Sequence, residues 1–154
     1  GGAITTYIFC KKRNLSFFDL ADYIIPYLAL RTDIGRWGNF INVEAYGSVT
    51  NLPWKIGIQT NAGLQYVHPT FLYESIADFF IFVILIKLSK NRNYKGQIMN
   101  WYFTLYASIR FLIEGLRQDS LMLGSFRISQ VISLMILILS VSFMLLLKKN
   151  KNKV

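Results

Sequence analysis

The sequence predicts an all-α fold, a polytopic bundle of transmembrane helices with one external, loop-rich segment. Three observations predict it. Of the 154 residues, 53% are hydrophobic and the mean hydropathy is +0.36, which is unusual for a soluble domain. The stretch Ile128 to Leu147 contains no charged residue. Most of the 17 Lys and Arg residues lie in three short runs rather than along the whole chain.

The stretch Ile128 to Leu147 is predicted to be the last transmembrane helix. At about 1.5 Å per residue, its length matches the roughly 30 Å hydrocarbon core of a bilayer. Lysines follow it directly, and short basic flanks of this kind stay on the cytoplasmic side. The C-terminus is therefore predicted to be cytoplasmic. A soluble protein with very apolar helices is the alternative.

The other segments alternate across the membrane when each basic run is placed inside. We expect one membrane domain over residues 1–154. Because the chain opens on Gly-Gly without a methionine or a signal pattern, we also expect the C-terminal portion of a longer multi-pass protein. In chain order the prediction is the end of an incoming span (Gly1 to Phe9), an inside loop (Lys11 to Arg13), an outgoing span (Phe17 to Leu30), the external segment (Arg31 to His68), a returning span (Thr70 to Leu88), an inside loop (Lys90 to Lys95), an outgoing span (Gln97 to Gly115), an external turn (Leu116 to Arg127) and the last span.

The net charge and the counts of cysteine and histidine exclude several classes of site. A formal charge of +9 would suggest a nucleic-acid partner for a soluble protein. Here the excess lies in the three inside runs, so no nucleic acid is expected. Cys10 is the only cysteine, which excludes an internal disulfide, and His68 is the only histidine, which excludes a multi-histidine metal site. No metal or other cofactor is expected.

The stretch from residue 35 to residue 47 is the first candidate site. It holds an arginine, two asparagines, a carboxylate and three glycines. Arg36 offers a planar fork suited to phosphate, and Asn39 and Asn42 can donate and accept hydrogen bonds around it. Glycines such as Gly47 let the backbone approach a ligand. An ordinary external loop is the alternative.

The second candidate site lies where the external segment re-enters the membrane. Pro69 suits a helix start, and Glu74 and Asp78 follow it on one helical face. A carboxylate at that depth needs a partner or a wet cavity, which makes Glu74 a candidate. His68 is interpreted first as a capping or packing residue, with a catalytic role as the alternative.

The third candidate site is a stripe of charge at the end of the predicted span Gln97 to Gly115. Helical geometry places Arg110, Glu114 and Arg117 at about 0°, 40° and −20° around the axis. Two guanidiniums and one carboxylate leave a net positive charge, which fits an anion. A salt-bridged packing stripe is the alternative. The three sites together predict a lipid phosphate ligand near the outer face of the membrane.

These three segments resemble the motifs of the prolipoprotein diacylglyceryl transferase family, bacterial membrane enzymes that lipidate lipoprotein precursors. Gly35-Arg36-Trp37-Gly38-Asn39-Phe40-Ile41-Asn42-Val43-Glu44-Ala45-Tyr46-Gly47 resembles the family signature nearly position for position. His68-Pro69-Thr70 with Leu72-Tyr73-Glu74 is similar to the second motif, and Arg110-Phe111 with Glu114 and Arg117 is similar to the third. Gly1-Gly2 resembles the end of a histidine-glycine-glycine motif.

The resemblance implies transfer of the diacylglyceryl group of phosphatidylglycerol to the lipobox cysteine thiol near the signal peptide of a prolipoprotein. A thioether forms and glycerol phosphate leaves. The implied location is the bacterial cytoplasmic (inner) membrane, with the site toward the outer leaflet. The predicted catalytic residues are Arg36, Glu44, Arg110 and Glu114, and the predicted substrate-binding residues are Arg36, Asn39, Asn42, Gly47, His68, Glu74 and Arg117.

Each predicted role follows from the chemistry that the resemblance implies. Arg36 and Arg110 are expected to bind the phosphate, because positioned guanidiniums stabilise charge that develops on the leaving group. Glu44 and Glu114 are expected to orient these arginines, and Glu74 to organise the cavity mouth or share the role of base. The thiol needs a base, since its usual pKa is about 8.5, and the family histidine proposed for that role is expected upstream.

Two other classes of function stay open at this point. A transporter or channel subunit also places charges inside a helix bundle, but it should show repeated halves and paired interrupted helices, and the sequence shows neither. A non-catalytic membrane subunit or an inactive fragment explains the charged stripe as packing. An assay with phosphatidylglycerol and a lipobox peptide separates the three classes.

Overall fold

The computed structural model describes residues 1–44, 46–60, 63–117, 121–123 and 126–151. Most of these residues are helical, as predicted. The helices are α1 (Gly2–Arg13), α2 (Phe17–Ile41), α3 (Thr70–Ser89), α4 (Gln97–Glu114) and α5 (Ile128–Lys151). Two antiparallel hairpins complete the fold, β1 (Ile56–Thr60) with β2 (Gly63–Val67), and β3 (Met122–Leu123) with β4 (Phe126–Arg127).

Helix α2 is longer than the predicted outgoing span, because it continues to Ile41. The prediction that the external, loop-rich segment begins at residue 31 is therefore wrong. Aromatic packing on α3 explains the extension: the rings of Trp37 and Phe40 lie 5.6 and 4.7 Å, centroid to centroid, from the ring of Phe71. Helix α1 also runs through the predicted basic loop and ends at Arg13.

The two hairpins are a correction to the prediction of an all-α fold. β1 and β2 lie in the segment that was expected to be loop, and the isolated pairing of Val49 with Val67 adds an extended piece beside β2. Gly47 pairs in the same way with Arg117. The described chain between α2 and α3 therefore contains a small extended layer, made of residues 47–50, β1 and β2, which is hydrogen-bonded to the chain that follows α4. This layer supplies backbone partners that an irregular loop would lack.

Helices α2, α3 and α4 pack together around a small apolar core. The core is made of short or branched side chains, which let the helix axes approach closely. Helix α5 packs on α4, where the Asn100 side-chain amide donates a hydrogen bond to the carbonyl of Ser140 over 3.2 Å. The buried core residues are Ala21, Ile25, Ala29, Ile81, Leu85 and Ile98.

The start of α2, the end of α3 and the start of α4 meet at one end of the bundle. Asp22 is buried there and accepts hydrogen bonds from the backbone N–H groups of Gly96 (2.8 Å) and Met99 (2.9 Å), so that it caps α4. Arg92 contacts Asp22 at 3.4 Å and Asp19 at 2.5 Å. The two acidic residues in the predicted span are thus explained as partners of the basic loop.

Helix α5 has the length and apolar composition needed to cross a membrane from Ile128 to Leu146, and it is the one described helix that meets both criteria. Its burial pattern is the reverse of that in a soluble protein. Ser133 and Ser140 are buried, whereas Leu139 is 70% exposed. Polar groups therefore face the bundle and leucines face outward.

Candidate functional site

The carboxylate of Glu74 joins the two arginines that the sequence singled out. Glu74 lies one turn into α3 and is buried. One of its oxygens lies 2.8 Å from Nε of Arg36 on α2, and the other accepts a hydrogen bond from Nη1 of Arg110 on α4 over 2.5 Å. Three helices thus contribute to one ion cluster at the end of the bundle opposite Asp22.

Arg110 also contacts a second carboxylate. Its Nη2 lies 2.9 Å from Oε2 of Glu114, one turn further along α4, and Glu114 is buried. The predicted contact between the two is therefore present. The guanidinium of Arg127 donates a hydrogen bond to the backbone carbonyl of Glu114, which ties the start of α5 to the end of α4.

Arg117 does not lie on the predicted helical stripe, because α4 ends at Glu114. Its backbone instead pairs with Gly47, and its N–H donates to the carbonyl of Glu114 over 3.3 Å. The prediction of a net positive stripe of two arginines and one glutamate is therefore wrong. In the observed cluster, the charges of Arg36 and Arg110 balance those of Glu74 and Glu114, which suits a buried ion network.

A narrow space beside this cluster is lined by Arg36, Glu74, Asp78, Tyr106 and Arg110 together with Ile109. Nη2 of Arg36 donates to the hydroxyl of Tyr106 over 3.5 Å. Asp78 is buried, and its Oδ2 has no hydrogen-bond partner within the residues that the structure describes. Because a buried carboxylate without a partner is costly, Asp78 is available to a ligand or to a proton.

A larger cavity of about 480 Å³ is lined by Arg36 and by other residues of α2. Four residues on one face of α2 line it, at positions 31, 32, 35 and 36, and Asn39 continues that face by one turn. Arg31 and Arg36 both line the cavity, and no acidic residue of the described ranges lines it. The cavity is therefore a candidate site for an anion. Its lining residues are Leu28, Arg31, Thr32, Gly35, Arg36, Asn39 and Tyr102.

The two other polar residues of the signature lie at the end of α2. Asn42 is the C-terminal cap of the helix and is exposed, and its N–H donates to the carbonyl of Gly38 over 3.0 Å. Glu44 is exposed and lines a second cavity of about 240 Å³, which Asn39 shares. No ion pair links Glu44 to an arginine in the described part of the chain. The predicted orienting contact of Glu44 is thus not present, and Glu74 occupies that place.

His68 and Gly47 hold the extended layer against the start of α3. The Nδ1 atom of His68 lies 3.2 Å from the hydroxyl of Tyr73, which also accepts from Nε1 of Trp54 over 2.7 Å. Gly47 donates its N–H to the carbonyl of His68 over 3.0 Å. A Cβ at Gly47 would lie 2.6 Å from the Cβ of His68. His68 thus packs beside the site rather than within the arginine cluster.

Sequence reasoning missed several polar residues of this region. Arg31 was assigned to the start of a loop, and Tyr106 was not singled out. The hydroxyl of Ser75 donates to Asp33 and accepts from Nε1 of Trp37, which fixes α2 against α3. A helical period through residue 39 would have placed Arg31 and Arg36 at the two edges of one broad face, about 140° apart around the axis. In the described ranges, no group of three or more His, Cys, Asp or Glu side chains could hold a metal ion.

Comparison with known proteins identifies the relatives of this chain. The family model described as prolipoprotein diacylglyceryl transferase matches residues 1–146. The chain belongs to this family. The expectation from the three motifs is therefore confirmed.

Individual relatives give the same result. A phosphatidylglycerol–prolipoprotein diacylglyceryl transferase of Finegoldia magna is 52% identical over 147 residues, which cover 95% of this chain and 58% of the relative. One of Clostridioides difficile is 52% identical over 155 residues, which cover 100% of this chain and 61% of the relative. One of Trichormus variabilis is 47% identical over 146 residues, which cover 87% of this chain and 52% of the relative. The chain thus spans between half and two thirds of the length of these relatives.

Proposed function

We propose that the protein containing this chain transfers the diacylglyceryl group of phosphatidylglycerol to a cysteine thiol of a prolipoprotein. The names of the relatives include both substrates. The observation that carries the proposal is the cavity of about 480 Å³ lined by Arg31 and Arg36 and by no acidic residue of the described ranges, because arginine side chains suit the charge of a phosphate. The acceptor is proposed to be the lipobox cysteine next to the signal peptide.

The proposed reaction exchanges a carbon–oxygen bond for a carbon–sulfur bond. The thiol loses its proton to a base and, as a thiolate, attacks the glycerol carbon that carries the phosphate. The bond between that carbon and the phosphate oxygen breaks, and glycerol phosphate leaves with the electron pair. Negative charge grows on the phosphate as the bond breaks. Guanidiniums held in place before the reaction therefore stabilise the transition state more than the ground state.

Glu74 is proposed to position the arginine that binds the phosphate. Glu74 contacts Nε of Arg36, and Nη2 of Arg36 donates to the hydroxyl of Tyr106, while Arg36 also lines the cavity of about 480 Å³. Arg110 is occupied by Glu74 and Glu114, so its proposed role is to hold that cluster in place. Arg31 is proposed as the second phosphate ligand.

The remaining predicted residues are proposed to shape the substrate site. Asn39 lines both cavities and is proposed to contact the headgroup, and Asn42 ends the helix that presents it. Glu44 is proposed to act in the second cavity, on the polypeptide side. Gly47 and His68, together with Arg117, are proposed to keep the extended layer against the site.

The helices are proposed to form one multi-pass domain of the bacterial inner membrane. Two burial patterns support this: α3 buries Glu74 and Asp78 but exposes Phe80, and α5 buries serines but exposes leucines. The basic loop that contains Arg92 lies at the end of the bundle where α3 ends and α4 begins. We therefore place that end of the bundle and the C-terminus in the cytoplasm. The opposite end of the bundle, which contains Arg36 and the cavity of about 480 Å³, then lies toward the outer leaflet.

Arg36→Ala in the full-length protein tests the function. Turnover of phosphatidylglycerol and a lipobox peptide should be abolished, while membrane insertion should stay intact. Arg13→Ala is the matched control, because it removes an exposed arginine at the opposite end of the bundle. Unchanged turnover in Arg36→Ala would remove Arg36 from the mechanism. No turnover by the unaltered full-length protein would instead favour a non-catalytic subunit.

A further inference from the structure

Strand β1 lies at the outer edge of the small extended layer. β2 lies on one side of β1, and residues 48–50 lie on the far side of β2. There, the N–H of Thr50 donates to the carbonyl of Tyr66 over 3.0 Å, and the N–H of His68 donates to the carbonyl of Ser48 over 3.1 Å. The far edge of β2 is therefore paired at Tyr66 and Val67, whereas β1 has a backbone partner on one edge within the described part of the chain.

The register shows which backbone groups of β1 face outward. Gly57 lies opposite Tyr66, and Gln59 lies opposite Leu64. Because the carbonyl of Tyr66 points to Thr50, its pair with Gly57 does not exchange hydrogen bonds, and the polar groups of Gly57 point away from β2. The alternation of an antiparallel ladder gives Gln59 the same orientation. Within the described residues, these outward N–H and C=O groups have no backbone partner.

The cavity of about 240 Å³ runs along this edge. Four consecutive residues of β1, 56–59, line one side of it. Phe40 of α2, Val43 and Glu44 just after that helix, and Phe71 of α3 also line it. Asn39 lines both this cavity and the larger one at Arg36. A polypeptide that lies along β1 would thus lie next to the cavity of about 480 Å³ at Arg36.

We infer that the open edge of β1 binds the polypeptide substrate as an added strand. The inference rests on the proposed function, in which the acceptor of the diacylglyceryl group is a protein. Alternating N–H and C=O groups along an edge match an extended polypeptide, whose own backbone repeats with the same period. An acyl chain offers no group that would satisfy them. Backbone pairing with β1 would hold the peptide next to the cavity of about 480 Å³, because Asn39 lines both cavities.

The first test removes one outward N–H from the edge. Gln59→Pro in the full-length protein deletes that donor, and an outward-facing N–H is where an edge strand tolerates proline. Gln59→Ala changes the same side chain but keeps the N–H. KM for a peptide with the acceptor cysteine should be about five-fold higher in Gln59→Pro than in Gln59→Ala, as for one net hydrogen bond of about 1 kcal/mol. KM for phosphatidylglycerol should be equal in the two variants. Equal peptide KM values would overturn the inference.

The second test uses the unaltered protein, so that it does not depend on how the proline variant folds. Peptides that are N-methylated at one position at a time lose one donor each. Strand pairing predicts that binding weakens at alternate positions beside the cysteine, because every second N–H faces β1. The readout is the Kd of a labelled peptide for the protein in nanodiscs, which does not require turnover. If Kd rises at alternate methylated positions but the protein shows no turnover, the inference stands and the proposed function fails. If no methylated position changes Kd, the inference is overturned.

A photo-crosslinking amino acid substituted at Gln59 identifies the occupant of the edge. A crosslink to the added peptide, reduced by excess unlabelled peptide, supports the inference. A crosslink that forms only within the protein itself would mean that another part of the same protein covers β1, and it would overturn the inference.

Discussion

Replacing Glu74 with glutamine tests whether a single carboxylate holds the site together. Glu74 is buried and contacts Arg36 at 2.8 Å and Arg110 at 2.5 Å. Glu74→Gln keeps the shape of the side chain but removes its charge, and it places an amide N–H₂ against one of the two guanidiniums. Breaking one buried pair costs about 3–5 kcal/mol, because the remaining charge stays buried without a partner.

The expected loss in activity follows from this energy. If about 3 kcal/mol of positioning is lost at the transition state, kcat/KM falls by roughly 100-fold, since about 1.4 kcal/mol is a factor of ten. The thermal unfolding midpoint in detergent should also fall. Glu74→Asp keeps the charge and should recover part of both losses. The assay is transfer of diacylglyceryl to a lipobox peptide, measured on the full-length protein.

Asp19→Asn is the matched control for Glu74→Gln. Asp19 also contacts two cations, Arg92 and Lys95, but it lies at the other end of the bundle and its side chain is 35% exposed. Water screens such a pair, so kcat/KM should change little. If Glu74→Gln retains as much activity as Asp19→Asn, the idea that Glu74 positions the arginines is wrong.

Two further predictions concern the frame around the site. Gly47→Ala should lower the unfolding free energy by about 1–3 kcal/mol, because its Cβ would lie 2.6 Å from that of His68. Gly38→Ala meets no atom within 4 Å and lies inside α2, so the same thermal melts should show a gain of about 0.5–1 kcal/mol. Asp22→Ala removes the carboxylate that caps α4 by accepting from the N–H of Gly96, and it should lower the unfolding free energy by about 1–2 kcal/mol. Turnover per folded molecule should be retained. A loss of turnover without a loss of stability would instead connect Asp22 to the chemistry.

Helices and their order could be predicted from the sequence, because apolar runs and basic flanks are local signals. The predicted spans Thr70 to Leu88 and Gln97 to Gly115 agree closely with α3 and α4. The end of α2 could not be predicted in this way. Its last turns are polar and hold two glycines, which look like a loop, and contacts with Phe71 on another helix stabilise them. Tertiary packing thus overrides local propensity there.

The error in α2 also explains the error at the site. In a loop, Arg31 has no fixed relation to Arg36, so it was not considered as a ligand. In a helix the two lie about 140° apart around the axis, at the two edges of the broad face of α2 that lines one cavity. The opposite error occurred at Arg117, where helical geometry was extended past the true end of α4 at Glu114. Both errors concern a helix boundary, which depends on contacts that sequence spacing does not show.

The network of Glu74 explains how one site can hold buried charge and still bind an anion. Were both arginines free, they would repel each other across a medium of low polarity. Glu74 and Glu114 neutralise the pair, and Arg110 is consumed in that balance. Arg36 contacts Glu74 through Nε and Tyr106 through Nη2, and it also lines the cavity that Arg31 lines. In the proposed function, the charge that binds the phosphate therefore comes from α2, and the carboxylates of Glu74 and Glu114 keep the arginine cluster in place.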